Sequence, residues 1–192
     1  MSGDGFILAS ASPRRLQLLA QIGLAPDCVE PADINEDPIP GELPGPHARR
    51  LATEKAAIVS QRFAGRVVLA ADTVVGVGRR ILPKTMDRGE AEDCLRLMSG
   101  RAHRVFTGVC VVDANGVSRS KLSETRLKVK RLSDAELNAY LDSGEWHGKA
   151  GGYGIQGRAG AFIPFLSGSY TGVVGLPVYE TAQMLKTAGV SL

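Results

Sequence analysis

Three features of the sequence predict an α/β fold with a mixed sheet. Segments with helix-capping signals and helical apolar spacing recur along the chain. A lone β-branched run, RVVLAADTVVGVG (66–78), stands between two of them as a buried strand does. Further on, two long strand-like segments meet at Asp113-Ala114-Asn115-Gly116, a hairpin signal. Lone strands and a hairpin among helices call for both parallel and antiparallel neighbours.

The elements follow in order. GFILAS (5–10) is a short buried strand. It feeds a helix in which Ser12 can cap with its hydroxyl, Pro13 suits the first turn, Leu16, Leu19 and Ala20 recur at helical spacing, and Gly23 ends the run. Residues 28–46, rich in Pro and acid, read as a loop. A helix is expected over 47–63, with Ala48, Leu51, Ala52 and Val59 as its apolar stripe and Lys55 inside that stripe. After the strand at 66–78 comes ILPKTM (81–86), then a helix opened by Asp87-x-x-Glu90 and closed near Gly100. The hairpin takes 103–112 and 118–132. Ser133-x-x-Glu136 is a second capping box, opening a short helix that ends near Gly144. Residues 148–160 carry six glycines. AFIPFLSGSYTGVVGL (161–176) reads as strand, turn, strand, and Pro177 begins a last helix closed by Gly189. No internal repeat and no long linker divides the 192 residues.

Composition bounds the function. With 44% hydrophobic and 22% charged residues the chain can bury a core unaided. A net charge of +3 and 5% aromatics argue against a nucleic-acid binder but leave spare cations for an acidic small molecule. Cys28, Cys94 and Cys110, odd in number and widely spaced, indicate reduced thiols and a cytoplasmic location rather than a disulfide framework or structural zinc. MSGDGFILAS lacks the form of a signal peptide, and no apolar run approaches membrane-spanning length.

Several residues can carry chemistry. Arg14 and Arg15 open a helix, where partial positive charge disfavours cations unless an anion joins them. With the hydroxyls of Ser10 and Ser12 and the free N–H groups they describe a phosphate site, or else they are solvated surface residues. Asp72 interrupts the apolar strand at 66–78, so it needs a partner. It is either a bulge residue satisfied by backbone N–H groups, or a metal ligand or general base at a sheet mouth. Lys55 either snorkels to the rim or points into a cleft. Glu36 lies in a loop acidic enough to be a solvated face, and Lys84 lies in a polar gap where lysine is commonly inert. Residues 152–157 match GxGxxG, but the following RAGAFIPF reads as strand, so a dinucleotide fingerprint is rejected. Those glycines serve tight turns or close approach to a ligand. Gln156 offers a donor beside an acceptor, which suits a nucleobase edge with adjacent N–H and C=O.

In order, SASPRR, ATEKA, AADTVV, GKAGGYGIQG and GSYTGVVGLP resemble the Maf family of nucleoside triphosphate pyrophosphatases, from about residue 6 to residue 181. The resemblance implies a single elongated domain of the Maf/Ham1 type spanning 1–192, a divalent cation (Mg or Mn), and cleavage of a nucleotide to the monophosphate and pyrophosphate. It implies a homodimer as well. It makes Asp72 the proton acceptor, Asp72 and Glu36 the metal side, Lys55 and Lys84 phosphate-side lysines, and Ser10, Ser12, Arg14 and Arg15 the phosphate loop and helix start. Arg14, Thr73 and Gln156 match the positions that separate the family's branches, and resemble the branch acting on dTTP and UTP. The alternatives are the branch acting on 7-methyl-GTP, a broader house-cleaning enzyme for modified pyrimidine nucleotides, and a nucleotide-binding regulator of septum formation. Two departures stand out. Lys84 is preceded by Pro83 and followed by Thr85, where the family places Pro after the lysine, and Gly148 stands where an acid is common.

Overall fold

In the computed structural model, which describes residues 5–191, the long strands form one mixed sheet. β1 (Phe6–Leu8) lies parallel between β2 (Cys28–Val29) and β3 (Val67–Val77). β4 (Arg80–Leu82) folds back on the end of β3, and β5 (Lys84–Thr85) follows it. β6 (Ala102–Val112) and β7 (Ser118–Lys128) continue the sheet antiparallel to β3, and β9 (Phe165–Ser167) closes its far side. β8 (Lys149–Ala150) pairs with β5 as a separate two-stranded ribbon. The helices are α1 (Pro13–Gln21), α2 (Pro44–Arg62), α3 (Arg88–Met98), α4 (Asp134–Asp142), α5 (Tyr170–Val174) and α6 (Val178–Thr187).

β3 is buried almost throughout because both of its faces are covered. Alternate residues serve two cores. Val68 and Ala70 pack with Ala52, Ala56 and Val59 of α2, while Leu69 and Ala71 join the larger core on the other face. The α2 side is built of small residues, so helix and sheet approach closely. The limit is at Gly108, where a Cβ would stand 2.3 Å from the Ala48 carbonyl oxygen.

Most boundaries follow local chemistry. At Ser133 the reciprocal capping box forms. Asp87 caps α3 by accepting from the Glu90 N–H, but the Glu90 carboxylate turns to the Met86 N–H. Asp113 Oδ1 accepts from the Asn115 and Val117 N–H groups and so orders the hairpin loop.

Four expectations are corrected. Ser12 occupies the N-cap of α1 without a capping bond from its side chain; its N–H instead donates to Ser10 Oγ at 3.2 Å. α2 begins at Pro44 rather than 47, because a proline in the first turn gives up an N–H that has no helical partner there. Residues 158–162, taken as part of a strand, form a 3-10 turn, and only Phe165–Ser167 pairs in the sheet. The expected strand in SYTGVVGL is the short helix α5, since Ser169 Oγ accepts from the Gly172 N–H and nucleates a turn that overrides the β-branched valines. Cys28, Cys94 and Cys110 are free thiols, and no described helix is long and apolar enough to cross a membrane.

Gly108→Ala must push α2 off the sheet and should lower the unfolding free energy in urea by about 3 kcal/mol. A change within about 0.5 kcal/mol, the range of an ordinary surface substitution, would show that α2 is not seated there.

Candidate active site

The sheet has a gap, and the gap makes the site. β1 pairs with Val67–Leu69 of β3, and β4 pairs with Val75–Val77. Between them, residues 70–74 have, among the described residues, a strand neighbour on the β6 side alone. A cavity of about 650 Å³ opens at this point. It lies beyond the C-terminal end of parallel strand β1, where the chain leaves through Ser10 and Ser12 into the N-terminus of α1. Because the gap exposes the edge of β3, successive residues of opposite pleat both reach the cavity: Asp72 on the α2 side and Thr73 on the other.

All ten residues singled out from the sequence line this one cavity: Ser10, Ser12, Arg14, Arg15, Glu36, Lys55, Asp72, Thr73, Lys84 and Gln156. Lys55 does not snorkel to the rim. Its Nζ lies 2.6 Å from Asp72 Oδ1 and 2.5 Å from Glu36 Oε1. Lys84 pairs with the other oxygen of Glu36. The result is an alternating row: Lys84, Glu36, Lys55, Asp72. Asp72 is therefore satisfied by a cation, not by the backbone, and Glu36 is not part of a solvated acidic face.

Asp72 Oδ2 makes no hydrogen bond among the described residues, and Asp72 lines the cavity. Burial pushes the Glu36 carboxyl up, but the hydrogen bonds and charges of Lys55 and Lys84 outweigh this and hold it at about 2. The loop bearing Glu36 is clamped from α2. Arg50 donates to both oxygens of Glu42 and, at 3.1 Å, to the carbonyl of Asp37, the residue after Glu36.

The two arginines divide their work. Arg15 donates to Ser10 Oγ at 2.7 Å and to the Gly175 carbonyl at 2.9 Å, so the loop after α5 fixes it. Burial lowers its pKa, Asp72 opposes the shift, Arg14 adds to it and Glu36 opposes it. Arg14, half-buried, has no hydrogen bond or ion pair among the described residues. Thr107 Oγ1 donates to the Gly172 carbonyl at 2.7 Å, so the contact of 3.0 Å between Thr73 and Thr107 uses the Thr73 proton and leaves the Thr73 lone pairs free. The Gln156 side chain is exposed at the cavity and has no partner among the described residues.

Sequence reasoning missed Lys149, Tyr153 and the Gly175 carbonyl. Lys149 stood in the quoted glycine-rich motif, and a lysine among turn glycines was the signal. Gly148, Gly151 and Gly152 adopt positive φ of 66°, 66° and 71°, which confirms their turn role. Tyr153 is anchored by a contact of 2.6 Å between its hydroxyl and His103 Nε2, while His103 Nδ1 is buried without a partner among the described residues. Burial lowers the His103 pKa to about 4.

Fold and site together define an α/β protein with a polyanion cleft that also holds a free carboxylate oxygen and a free amide. The chain belongs to the Maf family: its family model, "Maf-like protein", matches residues 5–188. A dTTP/UTP pyrophosphatase of Caulobacter vibrioides is 56% identical over 188 residues, covering 98% of this chain and 97% of that protein. One from Maricaulis maris is 60% identical over 183 residues, covering 95% and 88%. Among solved structures, a HAM1 protein from Coxiella burnetii shares the fold at a TM-score of 0.53 and 13% identity, covering 95% of this chain and 98% of that one.

Two stability measurements probe this geometry. Lys55→Met leaves Asp72 buried without its cation and should cost about 3 kcal/mol in urea, most of it recovered by adding Asp72→Asn; strictly additive losses would mean the two groups are not coupled. For His103, the native pKa of about 4 lies below the ordinary 6.5, so the unfolded chain binds the extra proton. That contribution to stability is full above pH 6.5 and falls by roughly 3 kcal/mol as the pH drops to 4. His103→Gln keeps a partner for Tyr153 and should flatten the stability profile over this window; an unchanged slope would assign the acid loss elsewhere.

Proposed function

We propose that this protein hydrolyses dTTP and UTP to the monophosphate and pyrophosphate, in the cytoplasm. One observation carries the reading. A carboxylate oxygen free to take a proton, an unpaired amide suited to a base edge, and two arginines line a single nucleotide-sized cavity. The dTTP/UTP pyrophosphatases similar to this chain support the choice of substrate.

A divalent cation fits the donor set. Asp72 and Glu36 both reach one cation already, the Lys55 ammonium, so the two carboxylates converge on one point. Among the described residues no group of three or more His, Cys, Asp or Glu forms a closed metal site, so phosphate oxygens of the substrate would complete the shell around Mg²⁺ or Mn²⁺. When bound, the ion supplies charge neutralisation on the triphosphate.

The residues of the chain do the rest. Lys55 holds Asp72 by Oδ1 and leaves Oδ2 to accept a proton from the attacking water. The water oxygen bonds to the α-phosphorus, and the bond from that phosphorus to the bridging oxygen breaks. Pyrophosphate leaves with its charge met by Arg14, Lys55 and Lys84, and Arg15 keeps the Ser10 loop in place. Positioning and charge account for most of the rate. At the other end the Gln156 amide accepts from N3–H and donates to O4 of thymine or uracil, which differ only in a methyl group.

Phosphate release from dTTP, UTP, CTP, GTP and 7-methyl-GTP tests the reading, with and without added inorganic pyrophosphatase. Signal from dTTP and UTP that needs the coupling enzyme is expected; phosphate without it, or turnover of 7-methyl-GTP alone, would overturn the proposal. Asp72→Asn should lower kcat by about 10²- to 10⁴-fold while nucleotide binding persists. Near wild-type kcat in that variant would remove Asp72 as the proton acceptor.

A further inference from the structure

Gln156 alone reads too little. Uracil and thymine present O4 beside N3–H, and guanine presents O6 beside N1–H, the same acceptor and donor side by side. One amide pairs with either. The bases differ at the next position on that edge, where the pyrimidines carry the O2 acceptor and guanine an amino donor. A site that prefers the pyrimidines needs a donor there with no lone pair to offer.

Lys149 stands beside the amide. A Cβ on Gly154 would lie 3.0 Å from Lys149 Cε and 3.1 and 3.2 Å from Gln156 Nε2 and Oε1, so both side chains pack over the same face of that glycine. Lys149 is half-buried and lines the cavity with Gln156 and Arg14. Its ammonium donates to the Glu145 carbonyl, which uses one of three protons, and it forms no ion pair among the described residues. Lys55 and Lys84, by contrast, are held by Glu36. Burial lowers the Lys149 pKa, the charge of Arg14 lowers it further, and Glu145 opposes both. Glu145 also braces the reader loop, since its carboxylate accepts from the Arg158 N–H at 2.8 Å, two residues after Gln156.

We infer that Lys149 is a specificity-determining residue that donates to O2 of the bound thymine or uracil, completing the edge read by Gln156 and turning away the guanine amino group. The inference rests on the pyrimidine nucleotide reading above. It accounts for the bare Gly154, because any side chain there would displace both readers at once.

The test compares wild type, Lys149→Met and Lys149→Arg on UTP, GTP, 2-thio-UTP and 4-thio-UTP, with inhibition by inorganic pyrophosphate as a measure of the phosphate end. Wild-type turnover of UTP settles the underlying reading first. Then Lys149→Met should lower kcat/KM for UTP roughly 10- to 100-fold, mainly through KM, and cut the UTP over GTP preference by a similar factor. Lys149→Arg, which keeps a donor, should recover part of the loss. Wild type should disfavour 2-thio-UTP, since sulfur is the weaker acceptor, and Lys149→Met should no longer distinguish it from UTP while still distinguishing 4-thio-UTP. Pyrophosphate inhibition should stay unchanged in the variants. An equal loss on UTP and GTP, or weakened pyrophosphate inhibition, would overturn the inference. So would wild type treating 2-thio-UTP and UTP alike, a result that holds whether or not the variants fold.

Discussion

The Lys55 ammonium between Asp72 and Glu36 is the contact on which the site depends. A carboxylate on a central strand and a lysine on the buried stripe of a helix are each costly alone. Together they are tolerable, and the small residues around them on α2 and β3 let helix and sheet approach closely enough to bring them together. Glu36 then joins from a loop that Arg50 pins to the same helix. The sheet, α2 and the acidic loop are thus tied at one point by opposite charges in alternation. Paired ions of this kind are weak evidence for stability in themselves, because desolvation offsets most of their attraction. Their value here is orientation: one oxygen of Asp72 is held and the other left open.

The gap along β3 explains why so many elements can contribute. A fully paired central strand would present its two faces to separate cores and keep Asp72 and Thr73 apart. With β1 ending at Leu8, opposite Leu69, and β4 reaching back only as far as Val75, the edge between is bare and both faces drain into one cavity. Ser10 and Arg15 enter from the end of β1, Lys84 and Lys149 from the β5–β8 ribbon, and the Gly175 carbonyl from the loop after α5.

Much of this was legible in the residues. Asp72 was conspicuous because charge in an apolar strand demands a partner, and the capping residues at Ser133 and Asp87 act through short local bonds that a sequence displays. Lys55 and Glu36 were ambiguous, since their roles depend on each other across a fold that no local window contains. α5 was misread because Val173 and Val174 favour strands, while its helix is decided by Ser169 and by carbonyls that Thr107 and Arg15 hold from elsewhere. Lys149 went unweighed for a similar reason: its neighbour is Gln156, seven residues on and across two turns.

The parallel pairing of Phe6 with Val67 has a kinetic side. The two strands can meet only after the whole intervening segment, α1, the acidic loop and α2 included, has been gathered into a closed loop. Such non-local pairings come late on a folding pathway, because the entropy of closure is spent before the contacts repay it. The cavity lies at the end of that pairing, so the site is complete only once the two strands have met. Occupancy therefore acts on the escape from the native state more than on the approach to it, and a saturated protein persists longer without folding any faster.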